Sequence, residues 1–518
     1  MSISDFSLSR TGIWMLVVLA LAFTPAWTQD SPAPNGNSST TGSSQNSTGQ
    51  ESSGQEQPPV PAYGQENAPP PITETPPLSG IDLPSVEPHA APLSYIQPGA
   101  TVSESADTNA ANEIGGGGST ASITRALGSL TLQRLWSHYD LALDYMGGAG
   151  YYDLPGEGGK LLQQMDFEQK VTWKRGQLAV RDSFSYLPEG NFGAAYGSLG
   201  SQGIASLGTT SFATFWGGAA LGTLGLAPRI INLSMADVSE YLSPKSAITA
   251  AGGYAFTHFY GSVEPYIDSS ATLNFIGDSQ VSGQIGYSRL LTPKTQVAAV
   301  YGYQGFDFSA MGTAFHSHVI QLMYGHQISG RMDLLVAAGP QFTRIGISCS
   351  VTFDPNYCTV NPQTLALEGT IPDHRIGAAG QFRLQYKFPK TMLTAAYQRY
   401  ETGGSGFFAG AQSDIAHVSA DRPLSRVWGA MLDLGYSRNA RIQTSSSGIA
   451  ANDYQYGFAG VAVHRAFGHD FHAFASYQFN KLAFDSSFCG TSSVCDRISN
   501  RNVITLGLDW TPRPIRID

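Results

Sequence analysis

Charge is what this sequence has least of. Asp, Glu, Lys and Arg make up 13% of its 518 residues, about half of the roughly 25% usual in a soluble domain. Long apolar runs are also scarce. The one good stretch, 11–27 (TGIWMLVVLALAFTPAW), has an apolar core too short for a spanning helix, which argues against a helical membrane protein. Lys and Arg are absent from 29–122, which holds ten acidic residues. Asp5 and Arg10 cancel, so the net charge of −10 belongs to that segment and the rest of the chain is formally neutral. Nothing in this balance builds a nucleic-acid surface, so no nucleic-acid partner is expected. Cysteine is limited to four residues in two local pairs, Cys349 with Cys358 and Cys489 with Cys495. With no CxxC spacing and no nearby His, disulfides in an exported chain are the reading over a metal site. No cofactor is implied.

The chain divides in three. Residues 1–28 read as a signal peptide, with small residues Ala26 and Thr28 ahead of a cleavage at Gln29; an uncleaved anchor is the alternative. Residues 29–123 are rich in Pro, Ser, Gln, Asn and Gly. They hold too few apolar side chains to offset the entropy of ordering, so they read as a disordered acidic leader with stretches of polyproline II. The run Gly115 to Gly118 lacks a phosphate-loop context and reads as a hinge.

From 124 to 518 a rhythm takes over. Alternating apolar and polar runs come in pairs closed by very short turns, and successive pairs are separated by long Gly/Ser/Asn-rich loops. The predicted strands are 137–145, 165–173, 178–186, 233–241, 247–256, 280–290, 295–306 and 317–327. Eight more follow at 332–343, 375–388, 391–400, 412–422, 427–438, 454–465, 470–479 and 502–510. The short turns reuse Pro-Lys, as in Pro244-Lys245, Pro293-Lys294 and Pro389-Lys390. Proline fixes φ for a turn and has no ladder donor, so it belongs between strands. About sixteen strands, even in number, with short turns on one side and long loops on the other, predict an all-β transmembrane antiparallel up-and-down barrel.

The faces separate cleanly in the best strands. In 375–388 one face carries Ile376, Ala378, Phe382, Leu384, Tyr386 and Phe388, and the other Arg375, Gln381, Arg383, Gln385 and Lys387. The apolar face suits lipid, with aromatics such as Trp173, Trp428 and Trp510 as interfacial girdles. The strands 233–241 and 412–422 alternate poorly. The signal peptide, the hairpin series and the last strand Ile504-Thr505-Leu506-Gly507-Leu508-Asp509-Trp510 resemble Gram-negative outer-membrane β-barrel proteins of porin-like type. They also resemble barrels with Pro/Gly-rich leaders, which implies no substrate. In the porin-like family the barrel-insertion machinery reads a final aromatic strand; here TPRPIRID follows Trp510, a departure from that pattern. The resemblance implies a bacterial outer-membrane location, with the leader in the periplasm and the long loops outside. It also implies contact with outer-membrane lipid and lipopolysaccharide, and passage of small hydrophilic solutes. Whether the chain forms a homo-oligomer stays open.

Asp140, Asp144, Asp166, Glu168, Lys170, Arg181, Arg375, Arg383, Lys387, Asp433 and Asp509 fall on the polar faces and are the predicted pore-lining residues. A water-filled pore with a transverse field is one reading; a lumen filled by paired ions is the other. The loop 187–231, without charge between Glu189 and Arg229, is either a constriction within the lumen or a flexible surface loop. A non-conducting structural or adhesin-like barrel is the alternative function. For an outer-membrane lipase or protease the candidates are His316, His318, Asp414 and His417, but no GxSxG and no triad spacing accompany them, so an enzyme is not expected.

Overall fold

The computed structural model describes residues 94–517, apart from 111–119, 155–157, 188–228, 261–275, 309–311, 350–353, 362, 364–366, 389, 405, 443–450 and 490–496. The expected signal peptide and most of the expected leader lie outside the described residues, as does the pairing of Cys489 with Cys495.

The first strands are β1 (Tyr95–Asp107), β2 (Ala121–Leu135), β3 (Tyr139–Tyr152), β4 (Gly158–Trp173), β5 (Gly176–Leu187) and β6 (Arg229–Ser243). Next come β7 (Ser246–Phe259), β8 (Asp278–Thr292), β9 (Thr295–Phe308), β10 (Thr313–Ser329) and β11 (Met332–Ser348). Two-residue pieces β12 (Thr359–Val360) and β13 (Leu367–Glu368) pair within the following loop. The ring resumes with β14 (Thr370–Phe388), β15 (Thr391–Thr402), β16 (Ala411–Pro423), β17 (Trp428–Arg441), β18 (Asp453–Phe467), β19 (Phe471–Phe484) and β20 (Ile498–Trp510). A last piece, β21 (Ile515–Arg516), pairs with Tyr95 and Ile96 of β1. Each long strand is antiparallel to its neighbours in sequence, and β1 pairs with both β2 and β20, so eighteen strands close on themselves. With strands about 4.8 Å apart and tilted by about 40°, such a ring is roughly 35 Å across at the backbone.

All sixteen expected strands are present, each longer than the alternating pattern alone indicates. The two additional strands correct the boundary of the leader: the barrel begins at Tyr95, not at 124, and Glu104 and Asp107 belong to β1. Residues 95–107 carry Pro98 and mostly small polar side chains, and β2 places leucines on both faces, so neither shows a clean period of two. Backbone pairing makes β1 a strand: it meets β2 from Tyr95↔Gln133 to Asp107↔Ala121 and β20 from Ala100↔Trp510 to Asp107↔Val503.

The two faces differ as lipid and water differ. Val281, Ile285, Leu322, Ile376, Leu506 and Leu508 are large, apolar and exposed on the outer face. Buried on the inner face are Gln164, Gln284, Gln321, Gln341, Gln381 and Gln478. Tyr139, Trp173, Phe388, Trp428 and Trp510 line the outer face at the short-turn end, where amphipathic rings sit at a headgroup boundary. Arg465 stacks over Trp428 and Phe467 there, with its guanidinium 5.3 and 4.7 Å from the ring centres. A closed ring leaves no unpaired edge in hydrocarbon, and with an apolar outer face this barrel spans a bilayer.

Candidate functional site: the lumen and its mouth

All eleven residues read from the sequence as pore-lining lie on the inner face, with the parity of the buried glutamines. The structure gathers them unevenly. On β3 to β6, Asp140, Asp144, Asp166, Glu168 and Asp237 accompany Lys170 and Arg181. Arg181 donates from Nε to Glu168 Oε2 at 2.8 Å and pairs with Asp237 on the other side. Arg375, Arg383 and Lys387 form a basic strip on β14. That strand stands nine places on from β3 in a ring of eighteen, on the opposite wall. Asp144 and Arg383 each lie five residues in from the short-turn end of their strands, so the acidic wall and the basic strip meet at one height.

Asp433 and Asp509 are tied into the wall itself. Asp433 of β17 pairs with His417 Nε2 of β16. Asp509 accepts from Thr101 Oγ1 of β1 at 2.7 Å and from Thr511 Oγ1 at 2.6 Å. It therefore belongs to the closing seam, where Ser105 meets Thr505 at 3.0 Å and Arg501 Nε donates to Asp107 at 2.7 Å. Of the candidates for an enzyme, His316 and His318 of β10 face outward, as does Asp414, which accepts from Tyr397 and Arg399. His417 faces inward, so the four do not converge.

Sequence reasoning looked for a constriction in 187–231, almost all of it outside the described residues. A different segment occupies the mouth. The β14–β15 ladder ends at Gly380↔Arg399, although β14 runs up to Thr370 and stays paired with β11 throughout. Above that point the β15–β16 hairpin, still paired with itself to Thr402↔Ala411, turns inward. Glu401 accepts from Thr343 Oγ1 on the inner face of β11 at 2.6 Å. Gln412 reaches behind Gly377 of β14, 3.6 Å from where a β-carbon would stand.

The tip then crosses the lumen. Gly406 accepts from Ile276 N at 2.9 Å, just ahead of β8. Ala409 packs with inward Phe306, Phe308, Phe315 and Ile345 of β9 to β11. Phe407 and Phe408 pack on the far side with Tyr454, Tyr456, Leu482 and Phe484 of β18 and β19. Ring centres of Phe407 lie 5.2 Å from Tyr454 and 5.4 Å from Phe484, both edge to face. From β8 to β19 is half the ring, so residues 406–409 of the tip bridge the long-loop mouth, with Gly406 and Ala409 on one side and the two phenylalanines on the other. Gly404, Gly406 and Gly410 adopt φ of 82°, 81° and 91°, a region that only glycine enters freely. A β-carbon at Gly410 would also stand 2.5 Å from Phe315. The one sequence signal was the run GGSGFFAG at 403–410, a flexible stretch with two phenylalanines that no alternating pattern explains.

No family model and no curated protein matches the sequence. Among solved structures, the chain is similar to the outer-membrane protein OpdK of Pseudomonas aeruginosa bound to vanillate. That match has 11% identity and a TM-score of 0.36 over 80% of this chain and 98% of that one. It is also similar to OccAB3 of Acinetobacter baumannii, with 9% identity and a TM-score of 0.38 over 82% and 99%. The ferric-catecholate import receptor Fiu of E. coli K12, in its open form, aligns with 8% identity and a TM-score of 0.40 over 82% of each chain. Likenesses of this size carry no assignment, which rests instead on the residues described above.

Proposed function

We propose that the barrel is a porin-like channel through which small hydrophilic solutes diffuse passively across a bacterial outer membrane, without cofactor or chemistry. One observation carries this reading: a closed ring whose outer face is apolar and whose inner face holds all the predicted pore charges and the buried glutamines, beside apolar clusters such as Val300, Met323 and Leu335. Several buried inner polar groups call for bound water. Gln321 has no protein partner for either amide atom, and the hydroxyls of Ser239 and Thr249 have none. Left dry, each would cost about 1–3 kcal/mol, whereas bound water satisfies them. The acidic wall of β3 to β6, facing the basic strip of β14, supports a transverse field that orients dipolar solutes. All eleven inward charges named above then line or edge the path.

Single-channel recording in planar bilayers tests the proposal. Stepwise currents are expected, and silence at every voltage would reject it. The hairpin tip across the mouth favours a second reading, a barrel closed at rest with a structural or adhesive role. Removing 404–409 distinguishes the two, since a barrel closed only by the tip conducts once it is gone.

Residues 1–28 are then a signal peptide, and the residues between it and β1 an acidic periplasmic leader entering from the short-turn side. Trp510 closes the strand that the insertion machinery reads.

A further inference from the structure

The outer wall carries a second site, independent of the lumen. Along β9, β10, β11 and β14 the outward side chains fall in rows set by the ladder registers. One row places His316 beside Arg344 and Arg344 beside His374, as direct cross-strand partners. The row below holds Tyr303, His318, Phe342 and Ile376. Neighbours in such a row stand about 5 Å apart at their β-carbons, so one guanidinium is flanked by two imidazoles with a third beneath.

Depth places this cluster at a lipid headgroup. Between it and the polar row of Thr295 and His326 near the short turns, the outward residues of β10 include Tyr324, Leu322 and Ile320. Ten residues of strand at about 3.4 Å each, tilted by about 40–45°, rise about 25 Å, the height of the apolar band of such barrels. The cluster therefore sits at the long-loop edge of the hydrocarbon, where a cation is tolerated if an anion meets it.

Among the described residues no such anion meets Arg344. The outward arginines Arg399 and Arg438 each have a carboxylate, Asp414 at 3.2 Å and Asp453 at 2.7 Å. Among the described residues Arg344 has no ion pair. The nearest acids by register are Asp307, one row above on β9, and Asp373, beside His374 on the chain with its side chain on the other face.

The imidazoles are already oriented. Tyr303 Oη lies 2.9 Å from His316 Nδ1, and Tyr301 Oη lies 2.7 Å from His318 Nδ1, each pair stacked. With the phenol donating, each neutral imidazole holds its proton on Nε2 and offers an N–H outward. Beyond His374 the β14–β15 ladder has already ended, so the niche is open on that side.

We propose that His316, Arg344 and His374, with His318 below, bind a phosphate of a phosphorylated lipid headgroup in the outer leaflet. A guanidinium fork between two N–H donors fits phosphate oxygens, while Phe342, Ile376 and Ile320 meet the acyl chains beneath.

The test uses the full chain refolded in detergent, titrated with diphosphoryl lipid A and followed by thermal unfolding and by native mass spectrometry. The wild type should rise in Tm and retain one lipid. Arg344→Gln should weaken binding about tenfold, with partial rescue by Arg344→Lys. If Arg344→Gln does not refold, His374→Gln reads the same contact with a smaller loss. Equal binding by Arg344→Gln and wild type would overturn the site. So would equal stabilisation by dephosphorylated lipid A, or by inorganic phosphate alone. Bilayer conductance is a separate readout: Arg344 lies outside the lumen, so its variants conduct as the wild type does, whatever the lipid result.

Discussion

Two junctions in this ring meet the same requirement in opposite ways. At the β1–β20 seam the backbone ladder continues, and inward side chains stitch it again through Thr101 to Asp509, Ser105 to Thr505 and Asp107 to Arg501. At the β14–β15 junction the ladder stops at Gly380↔Arg399, and the hairpin, still paired to β17 as far as Ala411↔Arg441, folds into the mouth. The first junction maintains the wall; the second uses part of the wall to make a constriction. A barrel thus obtains a barrier inside its lumen without a separate domain, by giving up one stretch of strand pairing where the long loops begin.

The largest effect should come from removing the seam. Deleting 95–107 leaves β2 and β20 as open edges in hydrocarbon, where each unpaired backbone group costs several kcal/mol. No folded, heat-modifiable species should appear on electrophoresis, and a folded species would show that the ring closes another way. Arg501→Ala keeps the ladder but leaves the buried Asp107 carboxylate without its guanidinium, and should cost about 3–5 kcal/mol in urea unfolding.

At the other junction the same measurement should barely respond. Phe407→Ala combined with Phe408→Ala removes the tip's packing on β18 and β19. It should leave barrel unfolding within about 1 kcal/mol, because the ring stays paired, while raising single-channel conductance roughly twofold or more. Unchanged conductance would mean that the tip is not the narrow point. Glu401→Gln weakens one charge-assisted bond to Thr343, worth about 1.5–3 kcal/mol to the tip alone, and should appear as more frequent opening transitions.

The smallest effect on the ring is expected from Cys349→Ser. The Cys349–Cys358 disulfide closes a loop of sequence separation 9 outside the wall. Its loss frees about 2–3 kcal/mol of loop entropy locally and should appear as faster proteolysis of 349–369 with unchanged barrel stability.

Much of this was legible in advance because a strand in a barrel wall is a local object. Arg375, Arg383 and Lys387 alternate with Phe382, Leu384 and Phe388, so their face could be read without knowing any neighbour. The Pro-Lys turns marked the short connections between strands in the same way. β1 escaped because its identity lies in its neighbours: a polar, Pro-containing segment becomes wall only when β2 and β20 offer it both hydrogen-bonding edges. The hairpin tip escaped for a related reason. Residues 403–410 fit no alternating pattern, and their place is set only by β9 to β11 around Ala409 on one side and β18 to β19 around Phe407 and Phe408 on the other.

The sequence by itself determined which side chains meet lipid and which meet water, since an alternation of period two needs nothing beyond the strand. Tertiary structure alone decided where the ring closes, where it parts and what fills its mouth. Those outcomes depend on contacts such as Thr101 with Asp509, 408 positions apart, and on backbone bonds that any side chain can carry, so no local pattern records them.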